Sequence, residues 1–462
     1  MSAREPTATQ RMAAFARELT LRDAPEGVVR LARLHLADAI GVALAASSVP
    51  SHRNLLTGLL AQRAETGPAM VLGLRAGAPA DVAALLNGMS IHALEYDDTH
   101  MGSIMHGSAV IVPVALAMGQ QCHLPPCDVL RLTIVGWELL VRLGRAAAGA
   151  FQRRGFQATS VAGAIVAAML AAAARGADAA RIASAGGIAG SQASGIFAFL
   201  NDGATVKALH PGWAAHAGVW ADRLSAAGMT GPLSVLEGRH GVYSAYANDA
   251  QAGERLMREL DSLGSAWTLE EAAFKLYPCC HYIHPYLEVA ARLRDEAAAL
   301  GQPIVSVHCR VAPGAGLVIA EPWARKQAPR DAHEAKYSLP YCVAMALLGL
   351  PVDVGAMSAA TLDARALGLA ARIGMSAWED SGFPERFAAD LAVTLADGRV
   401  LDARLDQVEG CGERPASINR IREKFLDNAG LAMPPSRAAR WWDAILNDEA
   451  LPVWEGVDAR DG

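Results

Sequence analysis

From about residue 8 to 265 the chain repeats apolar positions at helical spacing, and that pattern leaves little room for anything but packed helices. In 25–46 the apolar positions are Val28, Leu31, Leu34, Leu36, Ile40 and Leu44, with Arg30 and Arg33 between them. A second helix is expected from Ala80, with Asp81 at its N-cap or first turn, running on through Tyr96. Further helices are expected at 109–121, 128–148, 160–175, 177–198 and 212–227. Hydrophobic residues make up 52% of the chain and aromatics only 6%, and Ala contributes far more of the apolar richness than aromatics do. Alanine is the best helix former and lets helices approach closely. The most apolar run, 161–174, contains Gly163 and ends at Arg175. It is shorter than the roughly 20 residues that span a bilayer, and so reads as a buried helix. No period of 20–50 residues recurs, which argues against a solenoid.

The texture changes after Trp267. Residues 304–312 alternate like a half-buried strand, and 388–396 with 399–405 read as a hairpin turning at Asp397-Gly398. Helices at 283–299, 334–349 and 359–372 lie among them, and 418–429 and 437–447 return to helix. At 462 residues two domains are expected. The fold class is mainly α with a second α+β domain. A large, discontinuous all-α domain would cover 1–266 and 411–462, and the smaller α+β domain 267–410.

A net charge of −6 gives no general attraction to nucleic acid or to an anionic membrane surface. The N-terminus mixes both charge signs and lacks an apolar signal core, so a cytoplasmic location is expected. Seven cysteines, without CxxC spacing, suggest reduced thiols and neither a disulfide framework nor a structural zinc site. GxGxxG, GxxxxGK[ST] and GxSxG are all missing from the sequence, which removes the signs of dinucleotide, P-loop and nucleophile-elbow chemistry.

Four polar clusters sit in otherwise apolar, Gly/Ala-rich surroundings. The first, from His92 to His106, holds three carboxylates (Glu95, Asp97, Asp98) and three imidazoles (His92, His100, His106) within 15 positions. Such groups are costly to bury unless they pair or bind something; a charged helix end and loop is the plainer alternative. No HExxH-type spacing places two imidazoles on one helical face, so no metal is expected. The second cluster, Asn201 to Gly212, sets Lys207 and His210 three apart between glycine turns. There they can meet an anion near a helix N-terminus, or Lys207 can be a solvated loop lysine. The third, Phe274 to His284, falls where the two expected domains join in sequence and includes Lys275, Cys280 and His281. Adjacent residues do not naturally face each other, which weakens a Cys280/His281 nucleophile–base pair. The fourth, Glu334 to Tyr341, reads as a helix entry with a structural role.

Together and in this order, HALEYDDTH…HGSA, VKALHPGWAAHAGVWA with GPLSVLEGRHG, FKLYPCCHYIHP and HEAKYSLPY resemble the MmgE/PrpD family, and the N-terminal HLADAIGVALA also fits. That family includes 2-methylcitrate dehydratase, cis-aconitate decarboxylase and iminodisuccinate epimerase. The resemblance spans nearly the whole chain. It implies a large all-α domain with a smaller α+β lid, a homodimer, a small polycarboxylate substrate and catalysis without metal or organic cofactor. By motif position it implies His106 as proton donor or base. Lys207 and Lys275 would be carboxylate binders, either able to serve as an acid, and Asp98 would join the catalytic set. Glu95, Thr99, Gln157, His210, Cys280 and His281 would contact substrate. These reactions share one problem, stabilising an enolate or carbanion beside carboxylates while a proton moves, which suits cationic side chains.

Four positions depart from the family pattern. Glu95 replaces the aspartate of cis-aconitate decarboxylases, Gln157 a histidine, Cys280 the decarboxylase histidine, and HGSA the usual HPSA. Gln157 can hydrogen-bond a carboxylate but cannot carry a proton. These replacements argue against cis-aconitate decarboxylation and leave the fold untouched. The expected function is a lyase-type dehydratase acting on a small di- or tricarboxylate. The alternatives are an epimerase or isomerase of an iminodisuccinate-like acid, and an anion-binding member without turnover.

Overall fold

The structure is a computed structural model and describes residues 5–63, 65–200 and 203–447. Asn201 and Asp202 of the second polar cluster lie outside the described residues. Contacts divide the chain into two units. The first takes in the described parts of Met1–Ala93, Asp97–Ala272 and Ser417–Gly462, and the second comprises Leu94–Tyr96 and Ala273–Ala416.

The first unit is helical, as its Ala-rich periodicity requires. All of Ala158–Ala174 is buried, the behaviour of a helix that is apolar on every side. Leu209–Ala226 crosses it so closely that a Cβ on Gly218 would stand 2.3 Å from the Cβ of Ala167. At its other end Leu209–Ala226 crosses Ala80–His92, where a Cβ on Gly88 would lie 2.7 Å from the Cα of Gly212. Glycine and alanine at the crossings let backbones touch, so this core needs few aromatics.

Several boundaries differ from the sequence-based expectation, each for a local reason. The helix expected to run through Tyr96 stops at His92. Glu95 takes a left-handed φ of 55°. Its carbonyl, which a continuing helix would bond to the amide of Thr99, accepts from Lys275 Nζ at 3.0 Å. The 177–198 helix shrinks to Ala179–Gly190, capped by Asp178, which accepts from the Arg181 amide at 2.8 Å. The 212–227 helix begins earlier, at Leu209, directly after a 3-10 turn, Thr205–Ala208, that carries Lys207.

The C-terminal helices Ile418–Gly430 and Pro435–Asn447 group with the first unit. A buried ion pair ties the first of them to Glu26–Ser48, with Lys424 Nζ 2.7 Å from Asp38 Oδ1. Burial pushes the Asp38 carboxyl up to about 6, against the pull of Lys424.

In the second unit four strands run in the order 373–377, 304–311, 389–395, 400–405. The first pair is parallel and the other two antiparallel. The hairpin turns at Asp397-Gly398, with Gly398 at φ 86°. Cys309, Leu391 and Val393 belong to one core with Leu287, Ala290 and Leu293 of the helix His284–Ala299. The strand Ile373–Ala377 escaped the sequence reading because only Ile373 is buried, so it shows no alternation. The helix expected at 334–349 breaks into Ala332–Ala335 and Leu339–Leu347. Ser338 caps the second piece by accepting from the Tyr341 amide, and Pro340 sits in its first turn. The one expected at 359–372 is reduced to Ala364–Ala370, capped by Asp363. No helix among the described residues is long and apolar enough to cross a membrane.

Breaking a buried ion pair by removing one partner costs about 3–5 kcal/mol. Lys424→Met is therefore expected to lose about that much in urea unfolding, and Asp38→Asn with Lys424→Met clearly less. The single-variant loss should grow from pH 5 to pH 8, because removing the Lys424 charge lets burial raise the Asp38 carboxyl further, and the variant goes on losing stability as pH rises past the parent's value of about 6. Equal stability of Lys424→Met and the parent would show that the pair does not anchor the C-terminal helices.

Candidate active site

Ala80–His92 ends on a histidine, and the chain then makes a loop whose ends are stitched together. The amide of His100 donates to the carbonyl of Met105 at 2.8 Å, and that of Met105 to the carbonyl of His100 at 3.2 Å. His100 Nδ1 accepts from the Ser103 amide inside the loop. This closure returns His106 to His92, with ring centroids 4.7 Å apart and edge to face. Between them lies Asp97, fully buried, with Oδ2 2.8 Å from His92 Nδ1 and 3.3 Å from His106 Nδ1. Burial alone would raise the Asp97 carboxyl, but attraction to both histidines and their hydrogen bonds outweigh it and hold the group well below the usual carboxylate range. His106 is anchored through its backbone, the amide donating to Thr159 Oγ1 at 3.0 Å. Its side chain keeps 17% exposure while that of Asp97 has none.

The neighbouring Asp98 faces another set of partners. Its Oδ2 is 2.7 Å from His35 Nδ1 and accepts the Ser108 hydroxyl, and its Oδ1 accepts from the Ser108 amide at 3.1 Å. Ser108 opens the helix Ser108–Gln121, so Asp98 fixes the backbone just after His106. Asp98 is therefore bonded to the backbone that follows His106, while the Asp97 carboxylate meets the His106 ring. Thr99 is buried in the same loop. The HGSA departure also has a steric reason. A Cβ on Gly107 would come within 2.5–2.6 Å of three carbons of the Trp137 indole, so that ring fills the space a larger residue would need.

Gln157 and His210 extend the cluster. Gln157 is the N-cap residue of Ala158–Ala174, and its own amide donates to the carbonyl of Gly195 at 2.9 Å. Its Oε1 lies 2.7 Å from His210 Nδ1 and its Nε2 3.2 Å from His92 Nε2. Both ends of the amide are thus engaged by histidines. Burial, reinforced by His92 and Lys207, lowers His210 to about 4, so its ring is neutral at pH 7. Lys207 is half-buried one turn before His210.

The remaining candidates belong to the second unit. Lys275 is buried at 1% exposure, with Nζ 3.0 Å from the Glu95 carbonyl and 3.6 Å from its Oε2. Tyr96 donates its hydroxyl to the Leu276 carbonyl at 3.2 Å. Lys275 thus matches the charge of Glu95 and supports its left-handed backbone. The Cys280 amide donates to the carbonyl of Lys336 at 2.9 Å. The buried His281 ring packs against those of His284 and Phe387, at 4.9 and 5.1 Å.

The sequence placed His92 and Asp97 in the first polar cluster but gave a role only to His106, and not to these two ring partners. Among the described residues, His92, Asp97 and His106 are also the group whose ligand atoms, all within 4.8 Å of one another, could hold a metal ion. The sequence reading expected no metal. As the side chains stand, both Nδ1 atoms face one Asp97 oxygen, and binding an ion there would require both to give up any proton they carry.

Residues 10–255 match the family model of the MmgE/PrpD N-terminal domain, and residues 277–450 that of the MmgE/PrpD C-terminal domain. The chain is 27% identical to the cis-aconitate decarboxylase of Aspergillus terreus over 61% of its length, spanning only 59% of that protein. It is 24% identical to the cis-aconitate decarboxylase-like protein oryM of Aspergillus oryzae over 96% of this chain and 95% of that one. Against human cis-aconitate decarboxylase it is 27% identical over 79% of this chain and 75% of the other.

Two measurements follow from this geometry. Overpacking a core costs about 1–3 kcal/mol. Gly107→Ala should lose an amount in that range, and adding Trp137→Phe, which removes the atoms in the way, should recover part of it; no recovery would locate the strain elsewhere. His210, lowered from 6.5 to about 4, takes up its proton earlier in the unfolded chain. Stability should therefore fall as pH drops from 6.5 towards 4, by up to about 3 kcal/mol from this group. A His210→Asn variant should show a shallower fall in pH-dependent unfolding, and an unchanged slope would refute the assignment.

Proposed function

The chain belongs to the MmgE/PrpD family, and on that premise we propose that it is a lyase-type dehydratase acting on a small di- or tricarboxylate by moving a proton next to a carboxylate. The observation that carries this reading is the buried Asp97 carboxylate shared by His92 and the partly exposed His106. A carboxylate on Nδ1 orients an imidazole and stabilises its protonated form, leaving Nε2 to take or give the working proton. His106 then removes the proton from the carbon beside a substrate carboxylate. The electron pair left behind expels the hydroxyl from the adjacent carbon, which departs as water once protonated, and a carbon–carbon double bond forms.

Negative charge builds on the substrate during this step, and cations answer it. Lys207 is assigned to a substrate carboxylate, and its ammonium can also supply the proton to the leaving hydroxyl. The relatives support the class: cis-aconitate decarboxylases are lyases, and their named substrate is a tricarboxylate. Dehydration is preferred to decarboxylation because Gln157 and Cys280 stand where the decarboxylase pattern has histidines. Lys275, matched to Glu95, is assigned to hold that backbone, and proton transfer is left to His106.

The test is a panel of citrate-like, aconitate-like and iminodisuccinate-like acids in heavy water. Loss of water is expected from at least one hydroxylated acid. His106→Ala and Asp97→Asn should each lower kcat by about 10²–10⁴-fold, and Lys207→Ala should raise KM as well. Deuterium wash-in without loss of water or carbon dioxide would point to an epimerase. Tight binding with no exchange in any acid would leave an anion-binding protein, and full turnover by His106→Ala would remove His106 from its role.

A further inference from the structure

Hydrogen-bond polarity runs through the cluster in one direction. Asp97 is buried and held ionised, so the ring atom that meets it must carry a proton: His92 has N–H at Nδ1, 2.8 Å from Oδ2. The other face of His92 meets the amide nitrogen of Gln157 at 3.2 Å. An amide NH2 only donates, so His92 Nε2 must be bare. At the far end Gln157 Oε1 only accepts and lies 2.7 Å from His210 Nδ1, whose neutral ring therefore carries its single proton there. Gln157 itself has little freedom: it is 4% exposed and its backbone is bound to Gly195.

We infer that Gln157 is a positioning residue that locks His92 in the Nδ1–H tautomer, so that the Asp97 charge is left to His106 and one histidine alone carries the proton. A protonated His92 would press an N–H against the Gln157 NH2 group at 3.2 Å, and that opposition keeps a second cation away from Asp97. A glutamine passes hydrogen-bond direction along the chain from His210 to His92 without being able to pass a proton. The tautomer of His92 stands on these distances and on the ionised Asp97, whereas its consequence for His106 rests on the function proposed above.

The experiment is nitrogen NMR of the ring atoms in the full chain labelled with ¹⁵N-histidine, with His92 identified by its loss in His92→Gln. In the parent protein at pH 7, His92 should show one protonated nitrogen, Nδ1, and one bare nitrogen, Nε2. Gln157→Glu presents only acceptors to both histidines, so the Nε2 signal should move the whole interval between bare and protonated ring nitrogens. Gln157→Met keeps the volume without either hydrogen bond and should populate both forms; it also serves if the glutamate variant does not fold. A protonated His92 Nε2 in the parent, or the same His92 spectrum in parent and variants, overturns the lock. With any acid that turns over, Gln157→Glu should slow proton exchange by about 10²-fold. A spectral switch without that slowing leaves the lock standing and removes His106 as the carrier, so the two ideas fail separately.

Discussion

Asp97 is a carboxylate with no exposure at all, inside a helical unit rich in alanine and glycine. A buried charge in such surroundings costs several kcal/mol unless it is paired and hydrogen-bonded. His92 and His106 meet that requirement, and most of what surrounds them serves to hold them there. Ala80–His92 delivers one ring at its last residue, and the stitched loop to Met105 returns the other. Asp98, bound to His35 and Ser108, fixes the start of the next helix, and Trp137 closes the space beside Gly107. The close crossings of Leu209–Ala226 with its two neighbours then bring Gln157 and His210 to the far side of His92.

Two adjacent aspartates therefore do different work. Asp97 meets the rings of His92 and His106, while Asp98 joins His35 to the amide and hydroxyl of Ser108. Below them, Lys424 and Asp38 add a second buried charge pair that ties a C-terminal helix to Glu26–Ser48. That pair explains physically why the last helices group with the N-terminal ones although more than 140 positions of the second unit, Ala273–Ala416, intervene.

Much of this was legible in the residues. The Ala-rich periodicity foretold the helical unit, and the alternation at 304–312 and 388–405 foretold three of the four strands of the second unit's sheet. His106 and Lys207 stood out because polar groups in apolar company need a reason, and Gln157 because it departs from the family pattern. The strand Ile373–Ala377 did not stand out, because a strand buried at one residue carries no period-2 signal. The end of the helix at His92 was missed as well. A carbonyl captured by a lysine 180 positions away leaves no trace in the local pattern.

The sequence by itself determined the helical and α+β composition, the family resemblance and the set of polar residues that had to be paired. Only the tertiary structure decided the pairing: Asp97 with His92 and His106, Asp98 with His35 and Ser108, Gln157 with two histidines, and Lys275 with Glu95. The reason is directional. A hydrogen bond acts over about 3 Å and one orientation, and neither is fixed until the helices have crossed and the loops between them have closed.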